Sequence, residues 1–112
     1  MALALGAAAR AGVAVIVLDR PNPLGGVAIE GGTVQEGCVS FVGLGSVPVR
    51  HGLTIGEVAR LVAAGMPWGV ARFARPLDCD LTVVPARGWR RAMTFAELAA
   101  RLKKQAENMY YI

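Results

Sequence analysis

Two hydrophobic patterns divide the chain. Residues 1–11 are Ala- and Leu-rich and apolar nearly all round, which predicts a helix buried on most sides. Gly12 stands where a helix C-cap glycine belongs. Residues 13–18 then form a continuous, mostly β-branched run with no polar alternation, the pattern of a central parallel strand covered on both faces.

Thr54-Ile55-Gly56-Glu57 is a capping-box pattern, so a second helix is expected to start at Thr54. Ile55, Val58, Ala59 and Val62 supply its apolar face, and Gly65 and Pro67 end it. Residues 81–84 are a second compact strand, stopped by Pro85. A last helix runs from about Phe95 to Asn108, with Thr94 as N-cap and Glu97 three residues on. Between the first strand and the second helix, residues 27–50 are Gly-rich. Their short apolar pieces, at 39–42 and 47–49, read either as short strands or as an ordered excursion.

The order helix, strand, loop region, helix, strand, helix is the α/β signature. A crossover helix normally lies between two strands, so a leading buried helix reads as though a strand preceded it. The fold expected is a partial Rossmann-like α/β domain, with a short, mostly parallel sheet and flanking helices.

Composition narrows the class. With 112 residues, 54% of them hydrophobic and 18% charged, the chain suits one domain and can bury a core. The N-terminal stretch is apolar, but it lacks a basic leading region and Arg10 interrupts it, so it reads as helix then strand rather than a signal peptide. No uninterrupted apolar run is long enough to span a bilayer. The net charge of +4 gathers late, in Arg87, Arg90, Arg91, Arg101, Lys103 and Lys104. No aromatic interleaving or nucleic-acid motif accompanies these residues, so they read as a solvated face and no nucleic-acid partner is expected. Cys38, Cys79 and His51 fit no standard metal spacing, and the two cysteines read as ordinary buried thiols, with a disulfide the alternative. Gly43-Leu44-Gly45 lacks the third glycine and the strand–helix context of a dinucleotide site. No metal and no cofactor are expected.

Chemistry concentrates in Asp19-Arg20-Pro21-Asn22-Pro23-Leu24-Gly25-Gly26. Two prolines and two glycines exclude helix and central strand and leave a shaped loop at the carboxyl end of the first strand, where open α/β sheets bind ligands. A rigid connector is the plainer alternative. Asp19 and Arg20 are read as substrate-binding, or as a structural pair that fixes the loop. Asn22 binds ligand or builds an Asx turn. Arg50 and His51 precede the capping box, and His51 suits hydrogen-bond donation or proton transfer near neutral pH. Thr54 and Glu57 are assigned to capping. Trp89 stacks on a ligand or fills a core.

Four strings together resemble one family. They are residues 17–26 around that loop, Ile29-Glu30-Gly31, the run from Pro48 through Arg50, His51 and Gly52 to Ala59, and Asp80 to Pro85 with Gly88-Trp89-Arg90-Arg91. In this order they resemble the hallmarks of the NamZ-type exo-β-N-acetylmuramidases, bacterial enzymes formerly grouped as a domain of unknown function. The resemblance implies a Rossmann-like domain facing a second domain across a cleft. It also implies release of N-acetylmuramic acid from the non-reducing ends of peptidoglycan fragments. Glu30 and His51 become the expected catalytic residues, with Asp19, Arg20, Asn22 and Arg50 as the substrate-binding set and a peptidoglycan-derived saccharide as the partner.

The chain departs from the pattern in several places. The Pro-Glu-His-Gly and Pro-Ser-Pro-Asn strings of the family are absent, and Gly32 stands where members usually have proline. Residues 1–95 carry the resemblance and 96–112 read as a divergent helical tail. An internal piece of such an enzyme is therefore expected, with a non-catalytic, glycan-binding or self-associating α/β module as the alternative. Localisation and oligomeric state are left open by this reading, and a homo-oligomer fits it.

Overall fold

The computed structural model describes residues 1–35, 37–41, 43–45, 47–66 and 73–109. The elements are α1 (Ala2–Ala11), β1 (Val15–Leu18), α2 (Ile55–Ala64), β2 (Leu81–Val84) and α3 (Phe95–Met109). Gly12 closes α1 in the left-handed region at φ 64°, its N–H reaching back to the carbonyls of Ala8 and Ala9. Both halves of the capping box at α2 are formed, with the Thr54 hydroxyl accepting from Glu57 N–H and the Glu57 carboxylate accepting from Thr54 N–H. The Thr94–Glu97 pair repeats the arrangement at α3. Pro67 and residues 110–112 lie outside the described residues.

β1 and β2 pair in parallel, Val15 opposite Leu81 and Leu18 opposite Val84, with α2 in the crossover between them. Asp80 O accepts from Val15 N–H and Val84 O from Asp19 N–H, so the ladder continues to both strand ends. Order and pairing are those of an α/β unit of Rossmann-like type, as expected.

The core gathers Leu5 of α1, Val17 of β1, Ala59 and Val62 of α2, and Met66 and Phe73. Val15, Leu81 and Val83 pack against it. Phe73 lies over Gly6, where an added Cβ would stand 3.2 Å from its ring.

Three expectations need correction. The sheet is covered on one face only: Val17 is 8% exposed, while its neighbours Ile16 and Leu18 are 68% and 69% exposed. Successive strand side chains point to opposite faces, and the helices in contact with the strands leave the Ile16, Leu18 and Val84 side open. The continuous apolar run is therefore real, but half of it is bare. Likewise α1 is not buried all round; only Leu5 and Gly6 are, because a helix lying against a neighbour buries one stripe. Cys38 is exposed and Cys79 half-buried, and both are free thiols. In the excursion, the described residues form two isolated antiparallel bridges, Glu30 with Arg50 and Ser40 with Gly43, rather than strands; Val42 lies outside the described residues.

Candidate functional site

Three segments meet at the carboxyl edge of the sheet. They are the loop leaving β1 (residues 19–26), the approach to α2 (50–54) and the segment after β2 (85–93). Parallel pairing brings the two strand exits to the same edge, and the α2 N-terminus arrives beside them.

Asp19 is the first anchor. Its Oδ1 accepts from Gly56 N–H at 2.7 Å and from Arg20 N–H at 2.9 Å, while Oδ2 accepts from the Thr54 hydroxyl at 2.8 Å. A carboxylate there meets unpaired amide donors and the positive end of the α2 dipole. Thr54 is 2% exposed, and its hydroxyl is satisfied on both sides, donating to Asp19 and accepting from Glu57 N–H. Asn22 builds the Asx turn, Oδ1 accepting from Leu24 N–H, and its amide donates to Leu53 O; both bonds are 2.9 Å. Asp19 and Asn22 thus tie the β1 exit loop to the start of α2. Arg20 is exposed on that loop.

Glu30 and Arg50 are brought together. Their backbones exchange both bridge hydrogen bonds, and Arg50 Nη1 donates to Glu30 Oε2 at 2.7 Å. The rest of the guanidinium forks onto Leu24 O, from Nε at 3.2 Å and Nη2 at 2.8 Å. Arg50 lines an open groove of about 460 Å³, together with Pro23, Leu24, Val27, Arg91 and Thr94.

His51 faces elsewhere. It lines a second groove of about 380 Å³ whose other walls are mainly apolar, among them Val34, Leu44, Val47 and Met66. Extended backbone turns consecutive side chains to opposite sides, so Arg50 and His51 open into different grooves. The His51 Nδ1 accepts from Leu53 N–H at 3.0 Å, which puts the proton of the neutral ring on Nε2 and makes that nitrogen a donor. Sequence spacing showed that these residues are close in the chain; the bridge geometry decided which side each serves.

Arg91 was visible in the sequence only as part of a basic cluster and a matching string. It lines the same groove as Arg50, pairs with Glu57, and donates to Gly52 O at 3.0 Å. Its guanidinium sits 5.8 Å from the Trp89 ring centroid, so Trp89 supports an arginine through a cation–π contact. Glycine was the available signal: a Cβ on Gly26 would stand 2.9 Å from Arg91 Cγ, and one on Gly52 3.0 Å from Gly26 O.

The carboxylates at this edge differ in commitment. Asp19 is held by the α2 N-terminus, and Glu57 by Thr54 and Arg91. Glu30 is held by Arg50, and its side chain is 63% exposed. Among the described residues no cluster of three His, Cys, Asp or Glu is placed to hold a metal, and no helix is long and apolar enough to cross a membrane.

Comparison with known proteins follows the same lines. The family model described as exo-β-N-acetylmuramidase NamZ, N-terminal, matches residues 1–111. The peptidoglycan β-N-acetylmuramidase NamZ of Bacillus subtilis (strain 168) is 40% identical over 109 residues, covering 97% of this chain and 24% of the relative. The crystal structure of a DUF1343 family protein from Bacteroides fragilis NCTC 9343 superposes with a TM-score of 0.71 at 39% identity, covering 87% of this chain and 23% of that one. The chain spans about a quarter of the length of these relatives.

Proposed function

This chain belongs to the NamZ N-terminal family of exo-β-N-acetylmuramidases, and we propose that it forms the Glu30-bearing side of a cleft that releases N-acetylmuramic acid from the non-reducing ends of peptidoglycan fragments. The observation that carries this reading is the Glu30–Arg50 pair beside the groove at the sheet's carboxyl edge. Glu30 is the carboxylate there least committed to holding the fold.

Glycoside hydrolysis uses two carboxyl groups across the scissile bond. Glu30 is the one contributed from these residues, and Arg50 fixes its orientation. The second is assigned to the three quarters of the relatives' length that this chain does not span. Arg20, carried on a loop pinned by Asp19 and Asn22, suits a sugar hydroxyl or the lactyl carboxylate of muramic acid. His51 offers an Nε2–H donor from the opposite side of the ribbon.

The test joins residues 1–112 to the remaining sequence of the B. subtilis relative and measures chromophore release from a β-linked N-acetylmuramic acid glycoside. Turnover is expected from the joined enzyme, with Glu30→Gln lowering kcat by roughly 100-fold or more. A joined enzyme that folds but is inert on every muramic acid glycoside removes the assignment. Full activity of Glu30→Gln removes the residue.

A second reading, a non-catalytic module that binds glycan or self-associates, is favoured by the bare sheet face around Ile16, Leu18 and Val84. Turnover by the 112-residue chain alone dismisses it.

A further inference from the structure

We infer that Arg91 is a positioning residue that sets the geometry of the Arg50–Glu30 pair without a hydrogen bond to either. The inference deepens the muramidase reading, since that reading makes Glu30 the working carboxylate.

Arg91 accepts at its backbone O from Gly26 N–H at 2.8 Å. Its Nη1 donates to Gly52 O at 3.0 Å and, more weakly, to Gly26 O at 3.5 Å. Its Nη2 pairs with Glu57, whose other oxygen accepts from Thr54 N–H in the capping box. One residue after β2 therefore clasps both the β1 exit loop and the α2 entry. A planar fork with five donors can serve three such acceptors; an ammonium cannot present the same geometry.

The backbone is shaped to admit this clasp. Gly26 leaves room for the Arg91 stem, and Gly52, at φ 65°, lets the two loops approach each other at Gly26 O. The connection to Glu30 is short. Leu24 lies two residues before Gly26, and its carbonyl is the acceptor on which the Arg50 Nε and Nη2 fork rests. The third arm of Arg50 holds Glu30. Releasing Gly26 frees the Leu24 carbonyl, loosens the fork and leaves Glu30 without a fixed direction. Placement errors near 1 Å cost catalysis on the order of 100-fold, so such a clasp bears directly on activity.

The test reads Arg50 itself, in the 112-residue chain, by ¹⁵N NMR of its Nε–H. In the parent this proton is bonded to Leu24 O, and it is expected to exchange more slowly than a free guanidinium N–H. In Arg91→Lys, which keeps the charge and removes the fork, its exchange is expected to rise at least tenfold, with the urea midpoint nearly unchanged. Arg91→Ala is expected to show the same change more strongly, with added guanidinium ion restoring part of the protection. Unchanged Arg50 Nε–H exchange in the folded Arg91→Lys protein overturns the inference, as does a rise matched equally by every amide of the chain. This readout needs no turnover, so an inert joined enzyme sinks the muramidase reading and leaves the clasp standing. In an active joined enzyme, Arg91→Lys is expected to lower kcat while KM stays within about twofold, and the reverse split counts against a positioning role.

Discussion

Gly56→Ala separates local propensity from tertiary packing at one atom. Gly56 is the second residue of α2, and glycine in a helix is about 1 kcal/mol less favourable than alanine, so propensity alone predicts stabilisation. The structure reverses the sign. An added Cβ would stand 2.5 Å from Val83 Cγ1, 2.8 Å from Asp19 Cγ and 2.9 Å from Asp19 Oδ1. Overpacking against a strand side chain costs about 1–3 kcal/mol, and displacing Asp19 weakens a hydrogen bond to a charged group worth about 1.5–3 kcal/mol. Subtracting the propensity gain leaves a net loss of about 3 kcal/mol, a large share of the stability of a domain this size. In melting temperature that is on the order of 15 °C. Urea denaturation of the parent, Gly56→Ala and Gly32→Ala checks it. Gly32 has open space around its Cβ position and no positive φ, so its substitution is expected to stay within about 0.5 kcal/mol. In an Asp19→Ala background the cost of Gly56→Ala is expected to shrink by about 1 kcal/mol or more, because the two share one contact. A Gly56→Ala protein as stable as its parent, or more stable, refutes the packing argument at the strand–helix junction.

The one-sided sheet gives a paired prediction. Val17→Ala is expected to cost about 2 kcal/mol by removing buried methyl groups, while Ile16→Thr, one residue earlier on the bare face, is expected to change stability by no more than about 0.5 kcal/mol. Equal costs in urea titrations mean that something covers the open face in solution. At α3, the Glu97 carboxyl is held below the usual glutamate range, first by the Thr94 N–H it accepts from, then by the Thr94 hydroxyl; desolvation opposes the shift, and attraction to Arg90 and Arg101 adds to it. A carboxylate whose folded pKa is depressed contributes stability above its unfolded pKa and loses it as pH falls through the folded one. The first turn of α3 is therefore expected to hold at neutral pH and to loosen only in acid below the ordinary glutamate range. A ¹³C carboxyl titration of Glu97 with a midpoint at or above that of an unpaired glutamate contradicts this.

Local rules were enough for the elements themselves. The Gly12 cap, the Thr54–Glu57 and Thr94–Glu97 boxes and the two β-branched runs depend on neighbours within four residues, and each formed where its pattern placed it, except that the first strand starts at Val15 rather than at residue 13. The hallmark strings were likewise legible, because family likeness is carried by residue order. What the sequence could not carry is anything set by residues far apart in the chain. A run such as Val15–Leu18 looks the same whether one face or two are covered; only the placement of α1 and α2 left Ile16 and Leu18 bare. Asp19 could be read in the sequence as a ligand-binding or a loop-fixing carboxylate; that the α2 N-terminus, 37 residues on, donates to it is visible only in the fold. Glu30 and Arg50 became partners, and His51 turned to another groove, through one isolated antiparallel bridge whose pairing the short apolar pieces of the loop did not specify. Arg91 gained its reach only when the end of β2 came beside the end of β1. Hydrogen bonds and side-chain direction at this edge are three-dimensional properties, because they depend on which segments the parallel pairing brings within about 3 Å of one another.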